Sequence, residues 1–415
     1  MRILAAILGI IAILTAALLL SSDRRAIPLK AIFWGIALQF AIALMVLKIE
    51  AGRATIDAIG RGINWVLQFS YAGSTFMFGS LGAPSTDSKA FFFAFQVLPN
   101  IIFASALIAI FHHYGITKFL TRQFARAMRL FIPASGAESL NVAATVFLGQ
   151  TEAPLTIRSF LPAMTRSELM TVMTSGMAHV SGGMIAAYAT LGINAGHLLT
   201  AVLMTAPGSV LMAKMIVPER ETPATNYVPN TTAAQWGGER SANLLSAIVR
   251  GTTDGVRLAL GVGAMLIVFI ALVELANGAL SLAHRDLSPA VAHLLPPDIQ
   301  TAFGVVFAPV AWLIGVPWVD CTAVGNLLGT RMILNELVAF TELEQMRNAI
   351  DPRSFSIATF ALCGFANLSS IGIQIGGIGA LAPGKIDTLA SLGWRAMLGA
   401  TMANLLSACI SGLVL

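Results

Sequence analysis

Residues 141–161 read NVAATVFLGQTEAPLTIRSFL and place a glutamate, Glu152, beside two neutral hydrogen-bonding side chains in an apolar stretch. Gly149 divides the stretch into two apolar pieces of about ten residues. As a helix, each piece rises about 15 Å, which is half the thickness of a membrane core. Thr151 can cap the second piece, and Pro154 in its first turn has no amide hydrogen to leave unpaired. The stretch therefore predicts a re-entrant helical hairpin with Glu152 at its tip.

The composition predicts an integral membrane protein. Of the 415 residues, 56% are hydrophobic and 11% are charged, and the mean hydropathy is +0.79; a soluble domain carries about a quarter charged residues. Residues 3–20 and 31–47 each have nearly the length that spans a hydrocarbon core of about 30 Å. The net charge of +5 is interpreted as topology-setting Lys and Arg, not as a nucleic-acid surface. The cysteines form no CxxC or Cys/His pattern, which disfavours a metal cluster.

The pattern of apolar segments predicts an all-α polytopic membrane protein with eight transmembrane helices and two re-entrant hairpins. The first repeat begins with a basic amphipathic helix, typical of a cytoplasmic membrane surface, and the second begins with an external interfacial helix. The predicted parts are the first three membrane helices in 1–115, the first repeat in 116–217, a cytoplasmic connection in 218–252, the sixth helix in 253–297 and the second repeat in 298–415.

The second half of the chain repeats the pattern of the first. VDCTAVGNLLGTRMILN ends at Asn335, which can cap a second short limb that begins with Glu336. In both halves the glutamate is followed by a basic turn and then by a helix interrupted at small polar residues. The crossings between the halves bring the first hairpin in from the cytoplasm and the second from outside. Inverted repeats with discontinuous helices are typical of secondary transporters.

The two glutamates and the polar residues at the helix breaks are the candidate binding groups. An ionisable side chain at membrane depth costs at least about 2.5–3.5 kcal/mol, so Glu152 and Glu336 indicate function, although each could instead pair with an arginine or cap a helix. Amide and hydroxyl groups suit a neutral substrate with hydroxyls and carbonyls, and they also satisfy backbone groups freed at the breaks. The polar candidates are Gln150, Thr151, Asn367, Ser369 and Ser370.

Three classes of function are open from these residues alone. One is a transporter, one is an intramembrane enzyme that uses Glu152 and Glu336 as acid and base on a lipid-linked substrate, and one is a passive channel lined by carboxylates. No Ser/His/Asp set, HExxH motif or phosphate loop occurs, which disfavours an enzyme. His179, in the first helix break, is a candidate proton carrier, although a single histidine is more often a packing residue.

Three long motifs resemble the signature stretches of the concentrative nucleoside transporter family, in its bacterial branch. They are GQTEAPLTIRSFLPAMTRSEL at 149–169, GVPWVDCTAVGNLLGTRMILNELVAF at 315–340 and ALCGFANLSSIGIQIGGIGALAP at 361–383. The resemblance extends from about residue 90 to the end of the sequence. It implies a homotrimer built around a scaffold domain, with an inverted-repeat transport domain that moves across the membrane like an elevator.

The resemblance also implies the activity. It is import of nucleosides, above all uridine and other pyrimidine nucleosides, by cation symport across a bacterial inner membrane, with no enzymatic activity, no organic cofactor and no nucleic-acid partner. The lipid bilayer and two further copies of the chain are the implied partners. The residues implied to face the nucleobase are Gln150, Thr151 and Glu152, those implied to bind the ribose are Glu336, Asn367 and Ser370, and Phe365 and Ile185 are implied to pack nearby.

Sodium is the coupling ion that the resemblance implies, between the first hairpin tip and the break in the fourth helix. Half-helix ends with free carbonyls suit a small cation. Some bacterial relatives use protons, and His179 departs from the small residue expected at its position, so a proton is the alternative. The implied sodium ligands, mostly through backbone carbonyls, are Thr145, Leu148, Val180, Ser181 and Met184.

Overall fold

The computed structural model describes residues 2–84, 92–225, 243–286 and 296–415, and all regular structure within these ranges is helical. The helices before the first helix break are α1 Arg2–Leu19, α2 Leu29–Leu47, α3 Glu50–Gln68, α4 Ser70–Phe78, α5 Phe93–Gln96, α6 Leu98–His113, α7 Ile116–Phe131, α8 Gly136–Thr145 and α9 Arg166–Ala178. The later helices are α10 Gly182–Thr190, α11 Ala195–Ile216, α12 Leu244–Asp286, α13 Ile299–Leu313, α14 Trp318–Ile333, α15 Glu336–Gln345, α16 Pro352–Leu362, α17 Leu368–Leu381 and α18 Ile386–Val414.

Several of these helices are long and apolar enough to cross a membrane. Among the described residues, five spans meet that length and hydropathy, and a sixth would be the pair α13 and α14, which is bent by 116°. The spans formed by α11 and α18 are largely buried inside the chain, whereas α2 and α6 expose most of their length. The predicted integral membrane protein is confirmed in this sense, and the count of eight transmembrane helices stays a prediction.

Two helices are interrupted where small polar residues were predicted to break them. The first break separates α9 from α10, and the second separates α16 from α17. Asn404, on α18, donates from Nδ2 to Ala178 O over 2.9 Å and to Cys363 O over 3.0 Å. One amide therefore satisfies a carbonyl freed at each break, so the two halves of the chain meet at α18.

Buried Arg331, on α14, supports the second break. Its guanidinium donates to Ala361 O over 2.9 Å and to Gly364 O over 3.2 Å, and its third bond goes to Asn404 Oδ1. A buried cation is tolerated when its donors are satisfied, and here helix-end carbonyls do so. Arg331 thus ties α14 to the carbonyls freed at the end of α16.

The base of each short glutamate-bearing segment is fastened to neighbouring helices. Ser135 and Glu138 form a capping box at the start of α8, and Lys214 of α11 lies 2.6 Å from Glu138 Oε1 and donates to Ser167 Oγ of α9 over 3.0 Å. In the second half, Asp320 of α14 accepts from Ser354 Oγ of α16 over 2.6 Å. The two halves share this arrangement although the residues differ.

Two segments differ from the sequence-based expectation, and a third is described only in part. The second piece of the opening stretch is not one α-helix but the 3₁₀ turns Ala153–Ile157 and Leu161–Ala163, because Pro162 lacks the amide hydrogen that a helix continuing from Ala153 would need. Helix α12 begins at Leu244, before the boundary drawn at residue 253, because Asn243 Oδ1 accepts from Ser246 N over 2.8 Å and caps it. Part of the connection in 218–252, residues 226–242, lies outside the described residues.

Candidate functional site

Glu336 is the first residue of α15, and side chains from two other elements bind it. Asn335 caps α15 as predicted, since its Oδ1 accepts from Val338 N over 3.0 Å. Glu336 is 4% exposed. Tyr188 of α10 donates to Oε1 over 3.0 Å, and Asn367 donates from Nδ2 to Oε2 over 3.2 Å. Each carboxylate oxygen can accept further hydrogen bonds beyond these. The carboxylate is therefore oriented and still able to bind a substrate donor.

Asn367 is oriented by its place at the start of α17. Its Oδ1 accepts from Ser370 N over 3.0 Å and from Ser369 Oγ over 2.8 Å. The side-chain oxygen therefore faces the helix start, as in any N-cap, and the amide nitrogen is left to face Glu336. The oxygen of the Asn367 amide therefore caps α17, and the nitrogen of the same amide binds Glu336.

Gln150 lies in the turn between α8 and the 3₁₀ helix Ala153–Ile157, and it connects this turn to α17. Its Nε2 donates to Ser370 Oγ over 3.3 Å, and its Oε1 accepts from Gln374 Nε2 over 3.3 Å. Thr151 is exposed and lies near Gly377, where an added Cβ would be 3.4 Å from its methyl carbon. Gln150, Ser370, Asn367 and Glu336 thus form one continuous row of polar groups.

Glu152 stands apart from this row. Glu152 is an exposed residue, and its Oε2 accepts from Gly149 N over 3.3 Å, within its own turn. Thr151 does not cap the 3₁₀ helix that follows, because that helix begins at Ala153 and Glu152 occupies its N-cap position. This turn therefore presents the Glu152 carboxylate to its surroundings and does not use it to cap a helix.

The apolar residues predicted near the site lie on two of its elements. Ile185, on α10, is buried, and Phe365, in the second helix break, is half-buried. Tyr188, whose hydroxyl reaches Glu336, stacks on Phe340 of α15 with the ring centroids 4.4 Å apart. These contacts hold α10 against α15 beside the carboxylate.

Two polar residues at the site, Tyr188 and Gln374, were missed by sequence reasoning. Gln374 follows Ser370 by one helical turn in an otherwise apolar helix, so its spacing alone could have indicated a shared face. Tyr188 offers no such signal, since its contact to Glu336 joins residues 148 positions apart.

The residues predicted to hold sodium are spread over the end of α8 and the first break. A Cβ added to Gly182 would lie 3.4 Å from Phe147 O, which shows how closely the two segments approach. Thr145 Oγ1 donates to Val142 O over 2.8 Å and lies 3.2 Å from His179 Nδ1. His179 Nδ1 is 2.7 Å from Ser175 O and is therefore the protonated ring nitrogen. The Thr145 hydroxyl is thus engaged within the protein.

Of the other predicted ligands, Leu148 follows the end of α8, Val180 and Ser181 lie in the first break, and Met184 lies in the first turn of α10. Ser181 caps α10, since its Oγ accepts from Met184 N over 3.3 Å. Within the described ranges, no group of three or more His, Cys, Asp or Glu side chains is arranged to hold a metal ion. Carbonyl oxygens at helix ends are suited to a hard monovalent cation and not to a transition metal.

Known families and proteins match the chain along almost its whole length. Residues 8–81 and 197–412 match the families described as the Na+ dependent nucleoside transporter N-terminus and C-terminus, and residues 94–194 match the family described as nucleoside recognition. The uncharacterized transporter YutK of Bacillus subtilis is 38% identical over 413 residues, with 100% of both chains covered. The nucleoside permease NupC of Helicobacter pylori is 34% identical, with 98% of this chain and 96% of NupC covered.

A solved structure has the same fold. The structure of CNTnw in an inward-facing substrate-bound state superposes with a TM-score of 0.91 at 34% identity, and the match covers 100% of this chain and 98% of CNTnw. These relatives are transporters and not enzymes. The chain is therefore a membrane protein of the Na+ dependent, or concentrative, nucleoside transporter family.

Proposed function

We propose that this protein imports uridine and other pyrimidine nucleosides by cation symport across a bacterial inner membrane, as a homotrimer with eight transmembrane helices and two opposed re-entrant hairpins. Nucleoside import itself is supported by the family and its solved members. The observation that carries the proposal is the row formed by Gln150, Ser370, Asn367 and Glu336, which joins three elements through neutral donors and one carboxylate.

The ribose is assigned to the end of the row at Glu336. The carboxylate is held by Tyr188 and Asn367 and retains lone pairs on both oxygens. Two adjacent hydroxyls of a ribose can donate to these lone pairs, and hydrogen bonds to a charged acceptor are stronger than those between neutral groups. Ser370 supplies a hydroxyl from the next turn.

The nucleobase is assigned to the other end, at the tip of the first hairpin. Gln150, Thr151 and Glu152 offer an amide, a hydroxyl and a carboxylate, and the last two are exposed. Ile185 and Phe365 supply the apolar contact that a flat ring requires. A substrate with a hydroxylated sugar and a polar ring fits this order of groups, whereas a lipid would leave most of them unpaired.

Sodium is the proposed coupling ion, co-transported between the end of α8 and the first helix break. Its proposed ligands are chiefly main-chain carbonyls of Thr145, Leu148, Val180, Ser181 and Met184, because the Thr145 and Ser181 hydroxyls already bind within the protein. The family is described as sodium-dependent. A proton is the alternative coupling ion.

An elevator motion is supported by the way the hairpin bases are fastened. Lys214 and Glu138 hold the base of the first hairpin to α11, and Asp320 and Ser354 hold the second to α16. A hairpin tied at its base to neighbouring helices moves with them more readily than it opens alone, because opening would separate a buried ion pair in the first hairpin and a hydrogen bond to a buried carboxylate in the second. Each hairpin is therefore proposed to travel as part of the transport domain.

Uptake into sealed proteoliposomes tests the proposal directly. The purified protein is expected to accumulate radiolabelled uridine above the outside concentration when an inward sodium gradient is imposed, and to stop when the gradient is collapsed. Equilibration without accumulation would instead support a passive channel. Accumulation driven by a proton gradient in sodium-free buffer would replace sodium with a proton. Absence of any uridine uptake or binding would overturn the pyrimidine assignment.

A further inference from the structure

Gln374 is a buried glutamine that donates a hydrogen bond to a residue at the proposed nucleobase end of the site. It is 1% exposed, and its Nε2 donates to Gln150 Oε1 over 3.3 Å. Gly176, on α9, leaves the room that it occupies, since a Cβ there would lie 2.1 Å from Gln374 Nε2. The side chain is thus enclosed between α9 and the tip of the first hairpin.

The position is costly for a polar residue. Gln374 Oε1 is buried and has no hydrogen-bond partner among the described residues. Burying an unpaired amide oxygen is unfavourable, and an apolar side chain of the same length would avoid the penalty. Unlike an apolar residue, the glutamine donates a hydrogen bond to Gln150.

That bond fixes which way round the Gln150 amide lies. Gln374 donates to its oxygen, and its nitrogen donates to Ser370 Oγ. If the Gln150 amide were reversed, its NH₂ group would face the NH₂ group of Gln374. Gln374 could avoid this only by reversing as well, which would bury its own NH₂ group where Oε1 now lies. An unpaired buried carbonyl oxygen is tolerated more often than an unpaired buried N–H. The observed direction is therefore the favoured one.

We propose that Gln374 is a specificity-determining residue, which sets the direction of the Gln150 amide and thereby the order in which one N–H and one oxygen lone pair face the nucleobase. This rests on the proposed function, in which Gln150 faces the base. Uracil presents a ring N–H donor next to a carbonyl oxygen, whereas cytosine presents a ring nitrogen acceptor next to an amine. An amide held in one direction matches one of these edges and opposes the other.

The test compares uridine with cytidine, which carry the same ribose. Dissociation constants for both are measured by calorimetry on the purified full-length protein and on Gln374→Met, which keeps the length of the side chain and removes its donor. The ratio of the two constants is expected to change by about fivefold or more. This change is within the range by which an amide that makes two hydrogen bonds to a base edge discriminates between bases. The penalty for 2′-deoxyuridine relative to uridine is expected to stay the same, since Glu336 and Asn367 are untouched.

Two further variants keep the test decisive. Gly176→Ala pushes on the Gln374 amide from α9 and is expected to shift the uridine-to-cytidine ratio as well, even if Gln374→Met does not fold. Gly376→Ala lies on the same helix with open space around its Cβ and is expected to leave the ratio as in the wild type.

The failures of the two proposals are distinguishable. A wild-type protein that binds both nucleosides, with folded Gln374→Met and Gly176→Ala variants whose ratio stays within about twofold, overturns the role of Gln374 alone. An equal loss of affinity for both nucleosides also overturns it, because a general packing defect would produce that result. A wild-type protein that binds neither nucleoside overturns the proposed function, and the role of Gln374 with it.

Discussion

The hydroxyl of Tyr188 donates to Glu336 Oε1 over 3.0 Å, so a residue of the first half of the chain orients the carboxylate of the second. Tyr188 is fully buried, and its ring stacks on Phe340, which lies one turn after Glu336 on α15. The ring contact fixes where the hydroxyl points, and the hydroxyl fixes the rotamer of the glutamate. Glu336 is therefore preorganised before a ribose arrives, which reduces the cost of binding.

Tyr188→Phe isolates the contribution of this hydroxyl. The ring stacking is retained, and Glu336 loses one of its two side-chain donors. Hydrogen bonds to charged groups contribute about 1.5–3 kcal/mol, so the affinity for uridine is expected to fall by about tenfold or more. Calorimetry on the purified protein measures the change. Tyr114→Phe, at a tyrosine that is 65% exposed, is the matched control, and equal affinities for both variants would refute the preorganisation of Glu336 by Tyr188.

Glu336→Gln keeps the shape of the side chain and removes its charge. One of the two oxygens becomes an NH₂ group that repels the donors of Tyr188 or Asn367 and of a ribose hydroxyl. Uridine uptake driven by an ion gradient is expected to fall by about a hundredfold or more, while the variant elutes at the wild-type position in gel filtration. Glu344→Gln, on the same helix in a partly exposed pair with Arg347, serves as the control. Wild-type uptake by Glu336→Gln would show that Glu336 does not bind the substrate.

Local chemistry explains which parts of the site were predictable from the sequence. Asn335 and Asn367 both cap short helices through Oδ1, and capping depends on neighbours within three residues, so the sequence indicates it. The helix breaks were equally predictable, because small polar and glycine residues cluster there.

Other features depend on packing between distant segments. From the sequence, Tyr188 is expected to be a packing residue of α10, and Lys214 is expected to be a basic residue at the end of α11. Only the folded chain shows that one reaches Glu336 and the other Glu138.

Removal of one partner from the buried pair between Lys214 and Glu138 is expected to destabilise the protein strongly. Lys214→Met leaves the carboxylate of Glu138 buried without its cation, which costs about 3–5 kcal/mol. The double variant Lys214→Met with Glu138→Gln is expected to be less destabilised than Lys214→Met alone, since residue 138 then carries no buried charge and its amide oxygen can still accept from Ser135 N. Thermal unfolding in detergent measures both.

A surface pair provides the comparison for this prediction. Arg220 and Asp23 lie 2.5 Å apart, with the Arg220 side chain 65% exposed, and Arg220→Ala is expected to cost about 0–1 kcal/mol. Unfolding temperatures that fall equally in Lys214→Met and Arg220→Ala would contradict a stabilising role for the buried pair.

Arg331 is expected to be required for the geometry of the second helix break and not only for stability. Its guanidinium bonds two carbonyls freed near the end of α16 and the amide of Asn404, which itself reaches the first break. Arg331→Met leaves these acceptors buried and unpaired, at a cost of about 1–3 kcal/mol for each group that finds no water. Both the unfolding temperature and the affinity for uridine are therefore expected to fall.

Arg331→Lys separates the charge of this residue from its shape. A lysine keeps the positive charge but has a single donor centre, so it cannot reproduce a planar fork that reaches three acceptors at once. We expect Arg331→Lys to recover part of the unfolding temperature lost in Arg331→Met while uridine affinity stays reduced, because Phe365 and Asn367 lie within three residues of the carbonyl of Gly364. Wild-type affinity in Arg331→Lys would show that the charge alone sets the break, and Arg347→Met, at a side chain that is 43% exposed, controls for the loss of an arginine.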